Sequence, residues 1–207
     1  MLAAADVNTG EWHQFTEKNT AFSDLHQAAL SSGSIPGVFP PQVWNGTAYM
    51  DGGTIWNINI DGAIKGCMEK GFAEEEIVLD IALCYYYAVD TEPAVSKNAF
   101  SNYMENTHIR MFYSGITNTY EEMQAYPKVN FRYYMMNTHP ALGLKMLDFE
   151  TSNTWPLQEW GRADAAAAVA AGPGVGFQAV KNWQENVGNV KDKFAHFGDY
   201  YRHHTQI

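Results

Sequence analysis

The sequence is short of cysteine, of positive charge and of long apolar runs, and each shortage removes a class of function. Cys67 and Cys84 are the only cysteines among 207 residues. They form no Cys-x-x-Cys pair and have no metal-ligand spacing, so neither a zinc module nor a disulfide framework is written into the chain. Buried free thiols in a reducing compartment are expected. Thirteen basic side chains face twenty-three acidic ones, a net charge of −10. That balance argues against a nucleic-acid surface and against electrostatic docking on anionic lipid. No apolar run reaches about 18 residues, and no basic segment leads into an apolar core at the N-terminus. Neither a membrane span nor a signal peptide is therefore expected, which suits an intracellular protein, cytoplasmic or peripheral on a membrane. Gly172-Pro173-Gly174-Val175-Gly176 lacks the G-x-G-x-x-G spacing and a preceding strand, so it reads as a helix stop rather than a phosphate loop. No cofactor and no metal site are expected.

What is present suits one globular domain. Hydrophobic residues make up 46% and charged residues 17%, and a chain of this length buries about 70% of its unfolded surface. Leu2–Val7 and Glu11–Thr16 read as strands joined by a turn at Asn8-Thr9-Gly10. Ser23 is the expected N-cap of a helix through Ser32, with Leu25, Ala28 and Ala29 as its apolar face and Gly33 as its stop. His26 reads as a surface or packing histidine. Ile60–Lys70 reads as a helix burying Ile60, Ala63, Ile64 and Cys67, and Glu74-Glu75-Glu76 as a solvated turn. The nearly continuous apolar run Ile77–Leu83 predicts a strand buried on both faces, in which Asp80 must find a partner or lie at a bulge. Pro93–Pro127 is helical in tendency with a break near Ser114-Gly115, and Phe100, Met104, Met111 and Phe112 form apolar stripes. A strand over Val129–Met136 follows, then a strand or short helix over Leu142–Phe149. Helices over Asp164–Ala171 and Phe177–Phe197 complete the order, with His203-His204 at an exposed end.

The chain is organised around Ser34 to Asn59, and its centre is Asp51-Gly52-Gly53. A carboxylate followed by two glycines stands after Tyr49-Met50, the expected end of a strand. Glycine admits φ > 0 and lets other groups approach the backbone closely. An Asp in such a turn commonly bonds its own backbone, which is the purely structural reading. Asn45-Gly46 is a strong hairpin signal feeding the same strand, and Ile35-Pro36-Gly37 with Pro40-Pro41 stiffens the approach. A rigid frame around one Asp at a strand end suits a catalytic group.

Ala28-Ala29-Leu30-Ser31-Ser32-Gly33-Ser34-Ile35-Pro36-Gly37-Val38-Phe39-Pro40-Pro41, then Met50-Asp51-Gly52-Gly53, then Asn57-Ile58-Asn59-Ile60 resembles the second half of a patatin-like phospholipase domain. Ala5-Asp6-Val7-Asn8-Thr9-Gly10-Glu11 is similar to the strand and turn that precede it in that family. The resemblance covers roughly residues 1–85 and is thin over 86–207. It implies an α/β fold, a mainly parallel sheet flanked by helices, in which residues 1–207 are the C-terminal portion of the domain and the sheet is incomplete. It also implies a Ser–Asp dyad for acyl-ester hydrolysis, with Asp51 as the base and Gly52 and Gly53 as its supporting turn. The family's other parts are a G-x-S-x-G nucleophile elbow and an upstream glycine-rich oxyanion loop. Neither occurs here: Gly33-Ser34-Ile35-Pro36-Gly37 has its serine one place too early, and no glycine-rich loop precedes Asp6.

Two readings follow. In the first, the chain is part of a lipid acyl hydrolase whose serine lies outside these residues, so that alone it is inactive. In the second, it is a catalytically inactive patatin-like structural or assembly subunit. Both expect a partner that completes the sheet, either a missing N-terminal half or other protein subunits. An acyl-lipid substrate would be held by apolar contact, with peripheral contact to a membrane.

Overall fold

The computed structural model describes residues 1–86, 98–138 and 148–186. The chain divides into two compact units, Met1–Asn59 and Ile60–Ile207. In the first unit, β1 (Leu2–Asp6), β2 (Trp12–Phe15), helix α1 (Leu25–Ser32), β3 (Gln42–Trp44) and β4 (Thr47–Asp51) follow in order. The four strands form one sheet in the order β2-β1-β4-β3, and every pairing is antiparallel. Each tight connection is readable in the sequence. Asn45 and Gly46 sit at φ 50 and φ 80, the positive values that a two-residue type I′ hairpin demands. Alternation places Leu2, Ala4, Phe15, Trp44 and Tyr49 on one face, where they pack with Ala28 of α1. The rings of Phe15, Trp44 and Tyr49 meet there at tilted and edge angles, the arrangement favoured by their quadrupoles.

Helix α1 differs from expectation at its start and on its face. Ser23 lies inside a single 3-10 turn, Phe22–Asp24, and Asp24 stands at the N-cap without a side-chain capping bond. Ala28 and Ser31 are the buried positions, while Leu25 is 47% exposed. A narrow inner face of small residues lets the helix lie close on β1 and β4, and Leu25 is displaced outward.

The second unit contains α2 (Ile60–Met68), β5 (Val78–Tyr86), α3 (Ala99–Ala125), β6 (Asn130–Asn137), α4 (Thr151–Ala171) and α5 (Val175–Asn186). Among the described residues parallel pairing is confined to β5 and β6. The molecule is thus of mixed α/β type, but its larger sheet is antiparallel rather than parallel. Helices α4 and α5 pack on β6, and α3 packs on β5 and α5. Phe177 of α5 meets both Phe131 and Tyr134 of β6 edge-on. Strand β5 is not buried on both faces. Ile77 and Ile81 are buried, whereas Val78, Asp80, Ala82 and Cys84 are exposed. The single charged residue in the apolar run marked the outward face. Cys84 is accordingly exposed and Cys67 half-buried, both as free thiols, which corrects the expectation of two buried ones.

Two helices depart from their signals, α3 by being unbroken and α4 by starting earlier. Helix α3 runs through Ser114-Gly115 without a break. Phe112, Gly115, Ile116 and Thr119 are buried at spacings of three and four, one helical stripe, so packing overrides the propensity cost of glycine. Phe100 lies outside that stripe, 45% exposed, and the side chain of Met104 is outside the described residues. Helix α4 begins at Thr151 and carries Pro156 in its second turn, where propensity had placed no helix. In α2, Ile60 and Ile64 are buried as expected but Ala63 is exposed and Gly62 buried. The glycine stop after α4 holds, with Gly172 and Gly174 at positive φ. Most of the strand or helix expected over Leu142–Phe149, the last residues of the Phe177–Phe197 helix and His203-His204 lie outside the described residues. Among those described, no helix is long and apolar enough to cross a membrane.

Candidate active site

Asp51 is the last residue of β4, and three constraints fix it. The Asn45-Gly46 hairpin sets the register Trp44↔Thr47. Pairing with β1 places Ala4 opposite Asp51. Its backbone N–H donates to the carbonyl of Ser34 at 3.0 Å. The chain leaves Ser34 through a turn in which Val38 N–H donates to the Ile35 carbonyl at 3.1 Å. Gly37, two places after Ile35, sits at φ 80. Pro36 and Gly37 thus occupy the positions that a type II turn reserves for them.

The two glycines serve close approach rather than unusual backbone angles, since neither Gly52 nor Gly53 has positive φ. A Cβ on Gly52 would stand 2.7 Å from the carbonyl oxygen of Ala3 and 2.8 Å from its carbon, both backbone atoms of β1. A Cβ on Gly53 would stand 2.6 Å from Asn57 Oδ1 and 3.1 Å from Asp51 Oδ1. Gly53 N–H donates to Asp51 Oδ1 at 2.7 Å, so Asp51 caps the short turn Gly52–Thr54. The structural reading of the motif is therefore present in full. It occupies one carboxylate oxygen only. Among the described residues nothing donates to Oδ2, and no cation faces it. Burial raises the Asp51 carboxyl above its ordinary value of 3.8, and the Gly53 N–H offsets part of that rise. The result is a half-buried carboxylate with an uncommitted oxygen and enhanced basicity.

Among the described residues no hydroxyl or thiol hydrogen-bonds to Asp51. Ser34, the serine of the near-miss elbow, is 2% exposed, and its hydroxyl donates to the Leu30 carbonyl at 2.7 Å. It contributes its backbone, not its Oγ. His26 is exposed, with Nδ1 held 2.8 Å from the Ser23 carbonyl, an acceptor that requires the ring proton on that nitrogen. His13 received no weight in the sequence. The registers Ala4↔His13 and Ala4↔Asp51 put it in one row with Asp51 on the same sheet face. Two strand spacings of about 4.8 Å separate them, so no direct hydrogen bond joins them. The ring instead meets Phe15 edge-on and Tyr49 at a tilt. Asn57, singled out in the sequence only as part of a motif, is brought beside Gly53 by the fold. Among the described residues no group of three His, Cys, Asp or Glu side chains could hold a metal ion.

No curated protein matches the chain. Residues 2–64, which contain all of this geometry, match the family model of the patatin-like phospholipases, a family of lipid acyl hydrolases.

Proposed function

We propose that Asp51 is the general base of a Ser–Asp dyad that hydrolyses acyl-lipid esters, its serine being supplied from outside these 207 residues. The observation that carries this reading is the free oxygen of Asp51. A base must accept a proton at a lone pair that nothing else occupies, and Oδ2 qualifies while Oδ1 anchors the turn. In the reaction the serine Oγ attacks the ester carbonyl as its proton passes to Oδ2, and the proton then goes to the leaving alcohol. Water repeats the sequence to release the fatty acid. Oxyanion donors come with the serine-bearing part. Gly52 and Gly53 are the supporting turn, and no cofactor or metal enters. The partners of this reading are the acyl lipid, held by apolar contact, and the polypeptide that carries the serine, with peripheral contact to a membrane.

The absence of G-x-S-x-G from the sequence favours a second reading, an inactive patatin-like assembly subunit. One experiment separates them. The native polypeptide is treated with a serine-directed fluorophosphonate, digested and mapped. The first reading expects one labelled serine within G-x-S-x-G, outside residues 1–207. A label on a serine of these residues overturns it, and no label at all supports the inactive subunit.

A further inference from the structure

Asn57 belongs to the quoted Asn-x-x-Ile motif, yet neither the dyad nor the turn has used it. It stands six residues beyond Asp51 and returns to the same spot, because the Gly52–Thr54 turn reverses the chain. The space where a side chain at position 53 would lie is bounded by two oxygens, Asn57 Oδ1 at 2.6 Å and Asp51 Oδ1 at 3.1 Å. The Asn57 amide oxygen and the Asp51 Oδ1 that accepts the Gly53 N–H therefore border one space beside Gly53. We propose that Asn57 is a positioning residue for Asp51, closing the Gly53 side of the carboxylate so that Oδ1 stays in the turn and Oδ2 alone is presented for proton transfer. The proposal rests on the reading of Asp51 as the base.

An amide suits this place better than its alternatives. A carboxylate there would set like charges side by side and hold Asp51 protonated to higher pH. An alanine would admit water to Oδ1 and let the carboxylate rotate about χ2, a torsion with broad wells. Gly53 has no side chain because the amide needs the space. Glycine at position 53 and asparagine at position 57 are thus two parts of one device.

The test uses the 207-residue chain and needs no catalysis, so its failure is distinct from failure of the dyad. The Gly53 amide proton, bonded directly to Asp51, reports ionisation of that carboxyl in an NMR pH titration. The inflection is assigned by its disappearance in Asp51→Asn. Other titratable groups on these elements are Asp6 on β1, Glu11 and His13 at β2, Asp24 and His26 at the start of α1 and Tyr49 on β4, and all of them remain in every variant. Asn57→Asp keeps the shape of the side chain and should move the inflection up by about one pH unit or more. Asn57→Ala should move it down toward 3.8 and speed hydrogen exchange of the Gly53 amide. Folded variants whose inflection stays within about 0.2 unit of the wild type would overturn the proposal. Loss of the native spectrum in both variants would also overturn it, because Asn57 would then serve the fold and not the carboxylate.

Discussion

Asp51 and Asp80 are both aspartates on strands, and their surroundings treat them in opposite ways. Asp80 receives Arg132 Nε at 3.0 Å and Nη2 at 2.5 Å, with Tyr133 N–H at 3.1 Å as a third donor. It also lies at a register shift between β5 and β6, so partner and bulge occur together. The Arg132 bonds hold its carboxyl below 3.8 against some burial. Among the described residues Asp51 has one donor, Gly53, and burial raises it. A carboxylate gripped by a guanidinium fork is held as the anion and serves the strand pairing. One held by a single backbone N–H keeps a free oxygen that is harder to leave ionised. The difference teaches where to look for a base: at the carboxylate the protein anchors least, within the stiffest frame.

The largest expected contrast is in activity. In an active protein containing both residues, Asp51→Asn should lower kcat for a short acyl ester by about 10²–10⁴-fold. Asp80→Asn should leave it within about threefold, because it alters only an exposed pair. Comparable losses in both would erase the distinction.

A second contrast lies in the frames. Gly52→Ala drives a methyl into backbone atoms of β1 that cannot rotate away, and should cost about 3 kcal/mol in a urea titration followed at amides of β1 and β4. Gly53→Ala meets the Asn57 side chain and Asp51 Oδ1, which can shift, and should cost about 1 kcal/mol. Equal costs would mean that Gly52 does not hold the sheet as described.

The smallest contrast is in stability against pH, and the signs oppose. Asp80 is depressed on folding, so its contribution is present above the unfolded value of 3.8 and is lost as pH falls through the folded value. Asp51 is raised, so its contribution is complete below 3.8 and is lost as pH rises through the folded value. At neutral pH Asp51→Asn should therefore stabilise the first unit, by about 0.5 kcal/mol after allowance for solvent screening. Asp80→Asn should weaken the β5–β6 pairing slightly, and less so in high salt. A destabilising Asp51→Asn would place the residue among the structural carboxylates.

Much of the first unit was legible because its signals are local. Asn45-Gly46 specifies a hairpin by backbone angles, and Asp51 follows at the end of the strand it feeds. The pairing of β1 with β4 was not legible, since alternation in Leu2–Asp6 and Thr47–Asp51 names a face and not a neighbour. In the second unit Gly115 misled because propensity knows nothing of the buried stripe around it. The apolar run at Ile77 misled because an outer face made of Val78, Ala82 and Cys84 around the single charge of Asp80 reads like a buried one. Within the candidate site, Asp51 was found from sequence while the contact of Asn57 across Gly53 was not. That contact depends on a turn bringing residues six apart to one point.

The most direct measurement is a side-chain carboxyl ¹³C titration of Asp51 and Asp80 in the same sample of the folded chain. The account predicts that Asp51 titrates above 3.8 and Asp80 below it. An Asp51 at or below 3.8, or the two titrating together, would contradict it.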